Sequence, residues 1–130
     1  LDKNIEKLAK LSKDFSVVSI VTNQPQIAMN KLSLEELEDI NNHIIYYCGA
    51  KSLLIDTVIW CPHHPHKGYD SENKILKTDC FCRKPKPGML LQLAYERNID
   101  LKSSLFVGDS YVDEEASKLA GCSFINIFNL

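Results

Sequence analysis

Two close pairs of soft metal ligands lie in one polar, proline-punctuated stretch: Cys61-Pro62-His63-His64-Pro65, then, after an insert, Cys80-Phe81-Cys82-Arg83-Lys84-Pro85-Lys86-Pro87-Gly88. Ligands one residue apart can reach a single ion from one turn of backbone, and two such pairs complete the tetrahedron that zinc prefers. Cys61, His63, Cys80 and Cys82 are therefore read as a closed Cys3His zinc site, with His64 able to replace His63 and His66 left as a solvated loop residue. The spacing is not the two-residue gap of zinc fingers, and a reduced loop with incidental cysteines, or a disulfide, is the competing reading. Against it, three of the five cysteines fall in one turn-like segment, where buried core thiols are not expected. With four protein ligands the ion is structural, leaving no position for an activated water. Its work is to fold a long loop that buries no core of its own and to hold Arg83 and Lys84 in place.

A chain of 130 residues fits a single domain over 1–130 with one real core. Its 45% hydrophobic and 25% charged residues are ordinary for a globular protein. The formal net charge of -2 argues against a nucleic-acid surface or an anionic membrane surface, while leaving room for a local basic pocket. No apolar run approaches a membrane span, and the start lacks a signal-peptide pattern. An odd cysteine count with a metal-type cluster suits a reducing cytoplasm better than a disulfide framework. No feature sets an oligomeric state, and a monomer is compatible with the sequence. The first residue is Leu1, not Met.

The elements that position these ligands alternate. Ile5, Leu8, Ala9 and Leu11 share one helical face, followed by a β-branched run from Phe15 to Val21 that reads as a buried parallel strand delivering Thr22-Asn23-Gln24 to its carboxyl end. After a loop from Pro25 to Leu32, Ser33-Leu34-Glu35-Glu36 has the spacing of a capping box. The helix it starts carries Leu34, Leu37, Ile40, Ile44 and Cys48 as a core stripe and ends at Gly49. Ile55 to Trp60 is the next strand and runs into Cys61; Pro87 opens a helix that ends near Asn98. Leu105 to Val107 is a third strand, leading into Gly108-Asp109-Ser110. A helix follows with Val112, Ala116, Leu119 and Ala120 on its face, Asp113 and Glu114 in its first turn and Gly121 at its stop. Phe124 to Phe128 is the last strand. Alternation of this kind predicts an α/β fold, a doubly wound, Rossmann-like parallel sheet with a zinc-stabilised loop.

In such sheets ligands bind beyond the carboxyl ends of the strands. Thr22 and Asn23 follow one strand, the metal loop with Arg83 and Lys84 follows another, and Asp109 and Asp113 follow a third. A hydroxyl, an amide, two cations and two carboxylates in one crevice suit a phosphate and a divalent cation. Asp109 offers the hard oxygen that Mg2+ takes, while the thiolates select zinc. Each element alone is weak, since a Gly-Asp pair is commonly a turn and Thr-Asn commonly a cap.

The order Val21-Thr22-Asn23-Gln24, Cys61-Pro62-His63-His64-Pro65, Cys82-Arg83-Lys84-Pro85-Lys86-Pro87-Gly88-Met89 and Val107-Gly108-Asp109-Ser110-Tyr111-Val112-Asp113 resembles the haloacid-dehalogenase-like phosphatases. More narrowly it resembles their branch of D-glycero-D-manno-heptose 1,7-bisphosphate phosphatases and histidinol-phosphatases. The resemblance covers nearly the whole chain, and the zinc loop followed by Arg-Lys-Pro is specific to that branch. It implies Mg2+-dependent phosphomonoester hydrolysis through an aspartyl-phosphate, acting on a phosphorylated sugar of carbohydrate metabolism. Thr22 would hydrogen-bond the transferring phosphoryl group, Lys84 would neutralise its charge and that of the nucleophile, Asp109 would hold Mg2+ with Asp113 supporting it, and Asn23 and Arg83 would touch substrate. Phosphoryl transfer needs positioning and charge neutralisation more than elaborate proton chemistry, and a carboxylate nucleophile splits hydrolysis into two easier steps.

The chain departs from that family at three places. The family opens with a strand ending in Asp-x-Asp, which supplies the nucleophile and the general acid and base, and this sequence has no such pair. It begins at the helix expected after that strand, so the catalytic aspartates are expected upstream of Leu1; Asp2 and Asp14 have no partner at the required spacing. Met29 stands where the family has an arginine that helps to fix substrate, and Ser110 replaces a common Lys or Arg. Arg83 and Lys86 remain available for a second phosphate. Heptose bisphosphate is the first substrate expectation and histidinol phosphate the second. A zinc-stabilised phosphate-binding or interaction domain without turnover is the alternative of another class.

Overall fold

The computed structural model describes residues 2–24, 32–62 and 80–130. His63, His64, His66, Met29 and most of the loop from Pro25 to Leu32 lie outside the described residues. α1 (Asp2–Ser12) turns Ile5 and Ala9 inward, where they meet Cys48 and Leu53, with Leu8, Val18 and Ile55 packed around them. β1 (Ser19–Asn23) follows, and then α2 (Leu34–Ala50). Ser33 and Glu36 close the expected capping box: Glu36 N donates to Ser33 Oγ at 3.0 Å and Ser33 N donates to Glu36 Oε1 at 3.1 Å. Two N–H groups that the helix start would otherwise leave without acceptors are thereby satisfied.

β2 (Thr57–Cys61) lies parallel to β1, in a register that sets Ser19 opposite Thr57 and Asn23 opposite Cys61. α3 (Gly88–Arg97) ends at Asn98 in the left-handed conformation, and β3 (Leu105–Gly108) follows a short 3-10 turn at Leu101–Ser103. α4 (Tyr111–Ala120) stops at Gly121, whose φ of 90° favours glycine. β4 (Ser123–Asn126) then pairs parallel with β3, Leu105 opposite Ser123 and Gly108 opposite Asn126, and the chain finishes in a 3-10 turn at Ile127–Asn129. The strands are joined as β1–α2–β2 and β3–α4–β4, parallel strands with a helical crossover between them.

The α/β alternation is as expected, but the single doubly wound sheet is not: among the described residues the strands form two separate parallel pairs, β1–β2 and β3–β4. Helix–strand alternation dictates parallel pairing without dictating which strands become neighbours. Between the pairs lies a cavity of about 1190 Å3 that both β1 and β3 line. α3 spans the two halves by packing against β2 on one side and α4 on the other. A second apolar cluster of Ile59, Cys61 and Met89, with Val21, Cys80, Cys82 and Leu93 against it, sits under the cysteine turn.

The helix faces also need correction. In α2 the buried residues are Leu37, Asn41 and Cys48, while Leu34, Ile40 and Ile44 are exposed, and the helix runs through Gly49 to a cap at Lys51. In α4 the buried face is Asp113, Ala116 and Ser117, with Leu119 exposed. The inward turn of Asp113 is what brings a carboxylate under the strand ends. None of the described helices is long and apolar enough to cross a membrane.

Candidate active site

Lys84 is the hub. Its ammonium donates to Asp113 Oδ1 at 2.6 Å and to the Val21 carbonyl at 3.2 Å, with the Phe106 ring centroid 5.7 Å away. Val21 lies near the carboxyl end of β1, and Asp113 sits in the first turn of α4, just past the carboxyl end of β3. One cation therefore ties together the carboxyl ends of the two strand pairs. The pair is well shielded, the Lys84 side chain being 13% exposed and that of Asp113 8%. The backbone of Lys84 is held as firmly: Lys84 N donates to Asn23 Oδ1 at 3.0 Å while Asn23 Nδ2 donates to the Lys84 carbonyl at 3.3 Å. Asn23, expected to touch substrate, has its amide engaged on the residue that presents the cation.

Asp113 is fixed from its other side. Its Oδ2 accepts from Ser110 Oγ at 3.1 Å and from Asp109 N at 3.3 Å, which leaves Oδ1 for the ammonium. Ser110 occupies the N-cap of α4 but makes no side-chain cap bond, its hydroxyl going to Asp113 instead. Burial works against ionisation of Asp113, and the Lys84 ammonium with the Ser110 and Asp109 donors overcomes it, holding the carboxyl below its ordinary value. Gly108 is required by this packing, because a Cβ there would come within 2.5 Å of Asp113 Oδ2. Asp109, by contrast, is exposed and lines the cavity with Lys84 and Asp113. With Asp113 committed to Lys84, Asp109 is the exposed carboxylate of this loop, a hard oxygen donor of the kind that could hold a divalent cation.

Cys61, Cys80 and Cys82 converge. Sγ of Cys80 lies 3.4 Å from that of Cys61 and 3.3 Å from that of Cys82, and Arg83 N donates to Cys80 Sγ at 3.2 Å. These separations are far above a disulfide bond of about 2.05 Å. Zn–S bonds of about 2.3 Å in a tetrahedron set sulfurs about 3.8 Å apart, so the three thiols fit zinc after a small outward adjustment. Burial resists ionisation of Cys80, but the Cys82 and Cys61 thiols and the Arg83 N–H prevail and hold it below the ordinary thiol value, whereas burial and the same thiol neighbours push Cys82 well above it. The turn is pinned again by Lys86 Nζ on the Cys80 carbonyl at 2.9 Å and by Gly88 N on the Phe81 carbonyl at 3.0 Å. At Gly88 a Cβ would meet Phe81 O at 2.4 Å, so only glycine allows that approach.

Thr22 stands at the end of β1 between the two residues that hold Lys84; its hydroxyl donates to the Asn23 carbonyl at 3.3 Å and accepts from Gln24 Nε2 at 3.4 Å. Arg83 links the cysteine turn to Lys84 through its backbone. Sequence reasoning passed over the Val21 carbonyl, Gly108, Gly88 and the anchoring role of Ser110. A signal existed for the last, since a serine at the N-cap followed three residues later by an acid is a short-range hydrogen-bond pattern.

The model of the polynucleotide kinase 3 phosphatase family matches residues 1–120. Among curated proteins, the D-glycero-beta-D-manno-heptose-1,7-bisphosphate 7-phosphatase of Pasteurella multocida is 36% identical over 119 residues, covering 91% of this chain and 61% of that protein. The enzyme of the same name from Pseudomonas aeruginosa is 34% identical over 122 residues, covering 94% of this chain and 62% of its own. The chain therefore spans about three-fifths of the length of these relatives. The D,D-heptose 1.7-bisphosphate phosphatase of B. bronchiseptica, solved with magnesium and phosphate, superposes with a TM-score of 0.75 at 29% identity over 92% of this chain and 61% of that one. A HAD-like phosphatase from Mesorhizobium loti superposes at 0.79 with 28% identity over 91% of this chain and 55% of that one.

Proposed function

The chain belongs to the polynucleotide kinase 3 phosphatase family, and on that footing we propose that residues 1–130 form the greater part of a single haloacid-dehalogenase-like domain that hydrolyses a phosphorylated sugar with Mg2+. The observation that carries this reading is the Lys84 ammonium, held at the joint carboxyl ends of the two strand pairs by Asp113 and the Val21 carbonyl. A fixed, poorly hydrated cation at that place is what a dianionic phosphate ester needs in order to bind and react. The substrate we assign is D-glycero-D-manno-heptose 1,7-bisphosphate, on the strength of the relatives' names and of the heptose bisphosphate phosphatase solved with magnesium and phosphate.

The attacking carboxylate belongs to a segment outside this chain. It forms a bond to phosphorus as the ester P–O bond breaks, releasing the sugar hydroxyl, and water then cleaves the resulting aspartyl-phosphate to inorganic phosphate. Lys84 offsets the charge of phosphate and carboxylate together, and the Asn23 clamp on its backbone keeps that charge from following the substrate. Thr22 offers a hydroxyl to a phosphoryl oxygen, and Arg83 serves substrate from the cysteine turn. Asp109 is the ligand for Mg2+, with Asp113 supporting the loop; when bound, the ion adds positive charge at the phosphoryl oxygens. Cys61, Cys80 and Cys82 would hold zinc, with His63, outside the described residues, as the fourth ligand the sequence offers, and the ion would rigidify the turn that ends in Lys84. Thiols kept reduced for a metal suit the cytoplasm.

The test is phosphate release from the 1,7-bisphosphate by the protein carrying its upstream segment, with and without Mg2+. Activity that needs Mg2+ and disappears in Lys84→Ala is the expected result. Release unaltered by that substitution contradicts the proposal.

A further inference from the structure

We propose that a smaller cavity, between α2 and β2, is a binding site for a guanidinium cation, whether borne by a free arginine-like compound or by an arginine of a peptide. It lies apart from Lys84 and rests on nothing in the phosphatase reading.

β2 settles which side of the sheet the cavity takes. Side chains alternate along a strand, and Ile59 and Cys61 pack with Met89 under the cysteine turn, so Val58 and Trp60 project from the opposite face. There they line, with α2 across from them, a cavity of about 430 Å3, a size that suits a small ligand.

Asn41 is the observation that points to an occupant. It stands in the buried stripe of α2 with Leu37 and Cys48 and is 9% exposed. Its side chain has no hydrogen-bond partner among the described residues. Among those residues Ser19 Oγ is the one unbonded polar side-chain atom closed to solvent, so the Asn41 amide is open, and the space it lines is this cavity. An amide at a buried position costs stability unless something bonds it. The space is far larger than the roughly 30 Å3 that a single bridging water takes.

The charges of the wall set the sign of the ligand. Glu38 and Asp56 line the cavity and no Lys, Arg or His does; neither carboxylate is in an ion pair among the described residues. Asp56 Oδ2 accepts from Val18 N at 2.7 Å, which fixes the carboxylate and leaves Oδ1 for a ligand. Arg97 Nη2 donates to the Asp56 carbonyl at 3.4 Å, not to its carboxylate. A metal ion is a poor occupant, because among the described residues only Cys61, Cys80 and Cys82 bring three metal-ligand groups within 4.8 Å of one another. An organic cation fits, and a flat one fits best. Guanidinium offers a planar fork of N–H donors to a carboxylate and to the Asn41 amide oxygen, and its face stacks on the Trp60 indole, whereas an ammonium is compact and strongly hydrated. Leu34, Ile45 and Val58 supply apolar wall for the methylene stem behind it.

The test uses the isotope-labelled protein carrying its upstream segment, titrated with N-acetyl-arginine methylamide and read by NMR at the indole N–H of Trp60 and the side-chain amide of Asn41. Saturable shifts at both, with Kd on the order of 1 mM, are expected. The citrulline counterpart, equal in shape and uncharged, is expected to bind at least about tenfold more weakly. Glu38→Gln, at an exposed position, is expected to weaken binding about threefold while leaving the fold intact. Asn41→Leu is expected to abolish the Trp60 shift and to raise the urea midpoint, since the amide has no internal partner to lose. Comparing L-arginine with acetyl-Gly-Arg-Gly-amide separates the sources: tighter binding of the first assigns the site to a free guanidino compound, tighter binding of the second to an arginine of a peptide, and equal binding to the guanidinium alone. No saturable shift up to roughly 50 mM, equal binding of the citrulline or lysine counterpart, or full affinity in Glu38→Gln overturns the inference. A lowered urea midpoint in Asn41→Leu overturns it as well, by marking the amide as structural.

Discussion

Replacing Asp113 by Asn keeps the shape of the side chain and removes its charge, so it isolates what the Lys84–Asp113 pair contributes. Removing one partner of a fully buried pair costs about 3–5 kcal/mol, because the survivor is left charged without compensation. Here the Lys84 side chain is 13% exposed and keeps the Val21 carbonyl at 3.2 Å, which brings the expected cost to about 2–4 kcal/mol. Lys84→Met is milder, at about 1–2 kcal/mol, since Asp113 keeps donors from Ser110 and Asp109. The double variant removes both charges at once and is expected to cost about 1–3 kcal/mol, less than the sum of the single changes. Urea unfolding reports all four forms through the fluorescence of Trp60, the one tryptophan of the chain. Additive costs would mean that the two groups do not act as a buried pair, and the argument from a fixed cation would fail with them.

The acid limb of stability carries the same pair. Asp113 has a folded value below its ordinary 3.8, so unfolding raises its affinity for a proton; its contribution is complete above about pH 5 and is lost as pH falls through the folded value. The urea midpoint of the wild type should therefore fall more steeply below about pH 4 than that of Asp113→Asn; parallel curves would remove the effect. For the cysteine turn, Cys80→Ser and Gly88→Ala are both expected to lower zinc content in metal analysis. The first deletes the sulfur that both other thiols approach, and the second forces a methyl to within 2.4 Å of the Phe81 carbonyl. Zinc retained in full by either variant counts against the ligand set.

What could be read from the chain was whatever depends on neighbours in sequence. The Ser33–Glu36 box, the stop at Gly121 and the cysteine pair Cys80–Cys82 are local patterns, and each forms as its residue types require. The convergence of Cys61 on that pair follows from β2 ending at Cys61. What stayed hidden depends on tertiary placement. The apolar spacing of Leu34, Ile40 and Ile44 suggested a stripe, but the rotation of α2 buries Leu37, Asn41 and Cys48 instead, with Cys48 packed against Ile5 and Ala9 of α1. Asp113 read as an acid suited to a helix start and proved to be a buried partner of Lys84, a pairing across 29 residues that no spacing rule carries. The division of the strands into two pairs was equally illegible, since each βαβ unit is satisfied locally whichever strand lies beyond it.

The account rests on one anionic group being gripped where the two strand pairs meet. A crystal structure of the protein with Mg2+ and tungstate, a heavy stand-in for phosphate, tests that directly. The account predicts tungstate within hydrogen-bond reach of Lys84 Nζ and Thr22 Oγ1, with Mg2+ on Asp109 beside it. Tungstate bound elsewhere, with Lys84 still closed on Asp113 alone, would contradict it.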